Sequence, residues 1–137
     1  MPYSFEEHTA DVKFTAEGKT LEETFIEATK ALNETIYGKI RILEQRSIKV
    51  EIEGTDLENL LYKFLEEILF LLDSENFVVG SVKDLEIYSE TKKLTATLWG
   101  DNAENYAFTN DVKAVTYNDM KIELQDGKWK IKVVLDV

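Results

Sequence analysis

The sequence predicts an α+β fold in which two amphipathic helices pack on a largely antiparallel β-sheet. Three observations lead there. Leu21, Phe25, Ala28 and Leu32 recur at helical spacing, and so does a longer set, Leu57, Leu60, Leu61, Phe64, Leu65, Ile68, Leu69 and Leu72. Segments on either side of these helices alternate apolar and polar residues with period two, as half-buried strands do. The Asp126-Gly127 pair between two such segments marks a two-residue hairpin. At 137 residues the chain fits one domain spanning 1–137, and 44% apolar content suffices for a sizeable core.

Taken in order, Tyr3 to Glu6 reads as a short first strand. From Asp11, the residues Val12, Phe14 and Ala16 share one face, with Asp11, Lys13 and Thr15 on the other. Gly18-Lys19 turns the chain, and Thr20 with Glu23 forms a capping box for the first helix, which stops at Gly38. Ser47 to Glu53 alternates Ile48, Val50 and Ile52 against Lys49, Glu51 and Glu53. Thr55 with Glu58 offers a second capping box, and the helix it opens is the most apolar of the chain. Val82 to Ser89 pairs with Lys93 to Trp99 as a hairpin, and the polar stretch from Gly100 to Thr109 reads as a loop. Asp111 to Leu124 is strand-like with an interruption at Asn118-Asp119. The last strand turns Trp129, Ile131, Val133 and Leu135 inward and Lys130, Lys132 and Asp136 outward. Trp99 and Trp129 are expected in the core.

Charge narrows the function classes. The net charge of −11, from 27 acidic against 16 basic residues, repels phosphate backbones, so direct nucleic-acid binding is not expected. An acidic surface suits cations or a basic protein partner. The chain has no cysteine, which removes disulfides and thiolate metal sites. Its N-terminus lacks a signal-peptide pattern, and the longest apolar run, Ile68 to Leu72, is too short to span a bilayer. A soluble, cytoplasmic protein without membrane contact is expected.

Few residues invite chemistry. His8 is the only histidine, and no Ser or Cys pattern near it marks a nucleophile. A lone histidine is more often a satisfied surface residue than a ligand or base. Asp11 and Asp136, each by itself, read as solvated strand ends. They gain weight as a pair because the sequence stops one residue after Asp136, at Val137, where a strand end would hold the α-carboxylate in place. Three such oxygen donors would select Ca²⁺, Mg²⁺ or Mn²⁺ over softer metals. Asp101 to Glu104 lacks the later ligands and the glycine of an EF-hand, and no Gly-rich phosphate loop is present. Lys113, in Lys113-Ala114-Val115-Thr116-Tyr117, reads by pattern as an edge-strand lysine.

Four fragments together resemble the archease family: His8-Thr9-Ala10-Asp11, Gly18-Lys19-Thr20-Leu21-Glu22-Glu23, Lys113-Ala114-Val115-Thr116-Tyr117 and Val133-Val134-Leu135-Asp136-Val137. They occur in the family's order along the whole chain. The resemblance implies an accessory protein that activates an RtcB-type tRNA-splicing RNA ligase, promoting guanylylation of the ligase's histidine and multiple turnover. It implies a divalent metal held by Asp11, Asp136 and Val137, with Ca²⁺ in the isolated protein and Mn²⁺ or Mg²⁺ as alternatives. It also gives functional weight to Lys113 and to the His8 segment. Two departures stand out: Asn118 replaces a histidine common in the family, and Gly100 to Thr109 contains no histidine. Two rival readings are a small metal-dependent hydrolase or nuclease using Asp11 and Asp136, and a metal-free chaperone-like module.

Overall fold

The computed structural model describes residues 2–6 and 11–137. The order of elements is β1 (Tyr3–Glu6), β2 (Asp11–Gly18), α1 (Leu21–Tyr37), β3 (Arg46–Glu53), α2 (Leu57–Glu75), β4 (Phe77–Tyr88) and β5 (Lys93–Asn102). A 3-10 turn (Ala103–Asn105), β6 (Ala114–Gln125) and β7 (Lys128–Asp136) follow. The expected α+β class with two helices holds, and its antiparallel strands divide between two sheets. One sheet has the order β1-β2-β7-β6 and the other β3-β5-β4.

The core lies where both sheets meet the helices. Phe14, Val115, Val133 and Leu135 of the first sheet, Ile52, Leu94 and Leu98 of the second, and Leu32, Phe64 and Leu65 of the helices are all buried. Phe25 of α1 stacks on Phe64 of α2, with ring centroids 6.3 Å apart. Burying each such side chain contributes roughly 1.5–3 kcal/mol.

Local chemistry fixes the helix ends. The Thr20 hydroxyl accepts from the Glu23 amide at 3.0 Å, and the Glu23 carboxylate accepts from the Lys19 amide at 2.9 Å. The second box is shifted one residue from the expected Thr55 and Glu58. Asp56 is the N-cap and accepts from the Asn59 amide at 2.7 Å, while Asn59 Oδ1 accepts from the Thr55 amide at 3.0 Å. Asp56 carries the better-placed acceptor, and the Asn59 amide completes the reciprocal pair that Glu58 was expected to supply. Gly38 ends α1 with φ 77°, and Asn76 ends α2 in the left-handed region with φ 51°.

Each helix also covers the outer strand of a sheet. From α1, Glu22 accepts from the Ile87 amide at 3.3 Å and Asn33 donates to the Val79 carbonyl at 2.7 Å, both on β4. From α2, Glu66 accepts from the Val115 amide of β6 at 2.8 Å, and Tyr62 stacks on Tyr117 with centroids 4.3 Å apart. Three main-chain groups that could template pairing with another chain are thereby occupied.

Three expectations are corrected. β4 begins at Phe77, not Val82, and register shifts after Val79 and Lys83 break its alternation. β5 continues through Gly100 to Asn102, where a loop was expected. Asp101 is buried there because its carboxylate accepts from the Asn102 amide and the Tyr106 hydroxyl, both at 2.8 Å. Those donors hold its carboxyl below the ordinary range, the Asn102 amide contributing most. Trp99 lies on the outward face of the second sheet, under the Lys83 ammonium at 5.5 Å, since Leu94, Ala96 and Leu98 take the inward positions. Trp129 packs against the core as expected.

The Asp126-Gly127 hairpin is as the sequence predicts, with φ 52° and 75° at the two turn residues. The interruption at Asn118-Asp119 is also present: the β6–β7 ladder loses register between Thr116 and Lys121, and Asp119 has φ 55°. Among the described residues, no helix is long and apolar enough to cross a membrane.

Candidate functional site: two carboxylates facing across the central strands

β2 and β7 are neighbours in the middle of the first sheet, and their antiparallel register sets Asp11 directly opposite Asp136. Strand alternation fixes the faces of both. Phe14 and Ala16 are buried inward on β2, as are Val133 and Leu135 on β7, so Asp11 and Asp136 lie on the outward face. Asp136 is exposed and Asp11 half-buried. Like charges directly opposite on neighbouring strands are destabilising unless something offsets them. Two facing carboxylates with hard oxygen donors suit a divalent cation of the Ca²⁺, Mg²⁺ or Mn²⁺ kind.

The third strand supplies the other side of the site. Ala114 of β6 is paired with Asp136, and the Lys113 amide donates to the Asp136 carbonyl at 2.7 Å. Lys113 is exposed and sits just before β6, not within it, so the family fragment meets the candidate site through its main chain. Glu66 tethers the next residue, Val115, to α2. Burial, then the charge of Glu66, pushes the phenol of the neighbouring Tyr62 above its ordinary value.

The structure thus brings Asp11, Asp136 and the Lys113 main chain together, with half-buried Val137 following Asp136. His8 lies outside the described residues. Among the described residues, no three His, Cys, Asp or Glu side chains form a metal-binding group.

Sequence reasoning missed two contributors. Glu66 appears only as one of several polar residues on α2. Lys13 has a relative exposure of 9%, and its ammonium donates to Asp119 at 3.2 Å. The signal for Asp119 was present, since it stands at the break in β6, but its partner is too distant in sequence to be read locally.

A profile of the Archease protein family matches residues 3–137. The chain belongs to the archease family. It is 39% identical over 136 residues to the archease of Aeropyrum pernix, covering 96% of this chain and 94% of that one. To the archease of Pyrococcus furiosus it is 42% identical over 136 residues, covering 96% and 95%. The solution structure of a Methanobacterium thermoautotrophicum protein superposes with a TM-score of 0.83 at 33% identity, covering 99% of each chain. A Thermotoga maritima crystal structure, described as an archease and possible chaperone, shares the fold with a TM-score of 0.65 at 23% identity, covering 96% of this chain and 94% of that one. The archease profile spans both strands of the candidate site, β2 and β7.

Proposed function

We propose that this archease is an accessory protein that activates an RtcB-type tRNA-splicing RNA ligase, promoting the ligase's guanylylation and its multiple turnover. The observation that carries the reading is the β2–β7 register, which sets the Asp11 and Asp136 carboxylates face to face with the Lys113 segment alongside. In this reading Asp11, Asp136 and the Val137 carboxylate hold a divalent cation, Ca²⁺ in the isolated protein with Mn²⁺ or Mg²⁺ as alternatives. When bound, that cation would supply positive charge to the nucleotide phosphates handled by the ligase. The chain's own residues would hold and orient the carboxylates. The net charge of −11 supports a protein partner over direct contact with RNA. Action on another protein agrees with the description of the Thermotoga maritima relative as a possible chaperone, and the reading puts that action in the cytoplasm.

The test combines the purified archease with a cognate ligase and follows guanylylation of the ligase. The expected result is faster guanylylation with archease present, and no turnover of RNA or nucleotide by archease alone. Equal rates with and without it overturn the reading. Cation binding is tested separately by thermal unfolding. A cation at about a hundred times its dissociation constant adds roughly 2.7 kcal/mol, a rise in Tm on the order of 5–15 °C over EDTA. Overlaid scans would remove the cation.

Val137 is tested by an extension. A tag placed after it turns its carboxylate into an amide, and about half or more of the cation-induced rise in Tm is expected to disappear. The same tag before Met1 is the control. An undiminished shift in the extended form would show that Val137 contributes no donor.

A further inference from the structure

On the outward face of the first sheet, the row of residues next to the facing carboxylates is Lys13, Val134 and Thr116, paired across β2, β7 and β6. Rows on one face of a sheet are about 7 Å apart along the strands. Lys13 is therefore one pleat from Asp11, and Val134 one pleat from Asp136. Lys13 and Asp119 sit on strands separated by β7, a span of roughly 10 Å. Their 3.2 Å ion pair therefore requires the lysine stem to cross over β7. Val134 points outward, yet its exposure is only 3%, as a covering lysine stem requires. β6 is shaped for this pairing, because its ladder breaks between Thr116 and Lys121 and Asp119 adopts φ 55°.

We propose that Lys13, latched by Asp119, is a charge-setting residue that limits how tightly the Asp11–Asp136 pair holds a divalent cation, keeping the bound ion exchangeable. This rests on the carboxylate site proposed above. An ammonium fixed on the same outward face of the sheet as both carboxylates offsets part of their charge and repels the incoming cation. Asp119 plays the opposite part. It orients the ammonium and screens some of its field, from a more distant and more solvated position, its side chain being 66% exposed.

The two residues therefore make predictions of opposite sign, which a merely structural pair cannot do. Ca²⁺ alone is titrated calorimetrically into the full chain at about 20 mM ionic strength, where screening is weak. Lys13→Met, which keeps the stem and removes the charge, is expected to bind Ca²⁺ about five- to tenfold more tightly than wild type. Lys13→Arg is expected to restore the wild-type affinity. Asp119→Asn is expected to bind roughly two- to threefold more weakly, and its exposed side chain keeps the test available if Lys13→Met fails to fold. Both differences are expected to shrink at about 0.5 M salt. Unchanged affinities in Lys13→Met and Asp119→Asn, or weaker binding in both, overturn the inference while leaving the carboxylate site standing. Absence of Ca²⁺ binding by the wild type overturns the site and this inference with it.

Discussion

Asp11→Ala is expected to abolish both the cation-induced rise in Tm and the activation of the ligase, with the fold intact. The carboxylate lies on the outward face at the start of β2, with one oxygen covered, while Phe14 and Ala16 face the core on the other side. It also relieves the opposition between Asp11 and Asp136 across the register. In EDTA the variant should therefore melt within about 1 kcal/mol of wild type. With excess cation, the roughly 2.7 kcal/mol that separates bound from unbound wild type should be missing. Guanylylation rates and melting curves on the same preparations decide it. A folded Asp11→Ala protein that activates the ligase as well as wild type would reduce Asp11 to the end of a strand.

Gly100→Ala is expected to be the most damaging small substitution in the second sheet. Gly100 is paired with Arg46 of β3 on one side and Val79 of β4 on the other. A Cβ there would lie 1.8 Å from the Val78 carbonyl oxygen and 3.0 Å from the Phe77 ring. Backbone of a neighbouring strand cannot step aside as a side chain can, so the whole β4–β5 ladder must shift. The expected loss is about 3 kcal/mol or more, a fall in Tm on the order of 10 °C. Urea unfolding measures it directly through the midpoint. A variant as stable as wild type would mean that β4 and β5 are not packed this closely at Gly100.

Much of the fold was written in local periodicity. The stripes of α1 and α2 and the alternation of β2, β3 and β7 were legible because each element buries one face. Errors arose where a partner distant in sequence decided the outcome. The polar run after Gly100 looks like a loop until Tyr106 is seen to satisfy Asp101 and keep it buried. Trp99 was different, since counting outward from Leu98 would have placed it correctly; its bulk outweighed its parity. The candidate site was less legible still. Asp11 and Asp136 come from opposite ends of the sequence, and only the family resemblance suggested that they meet. Lys13 and Asp119 had no such guide: the break at Asp119 was legible, but nothing local tied it to a lysine 106 residues earlier.

The place of β7 between β2 and β6 bears on how the protein is made. A nascent chain emerges with β1 and β2 first, but β2 finds its inner neighbour only when β7 has been synthesised. Until then the hydrogen-bonding edge of β2 is open, while α1, α2 and the β3-β5-β4 sheet can already collapse around their shared apolar faces. Pairing of such distant segments is slow relative to local hairpin formation. The β6–β7 hairpin should therefore form as a unit and then dock onto β2 in a late step. That docking is what sets Asp11 against Asp136. A chain that has not yet made β7 therefore lacks the Asp11–Asp136 pair, however far its helices and second sheet have collapsed.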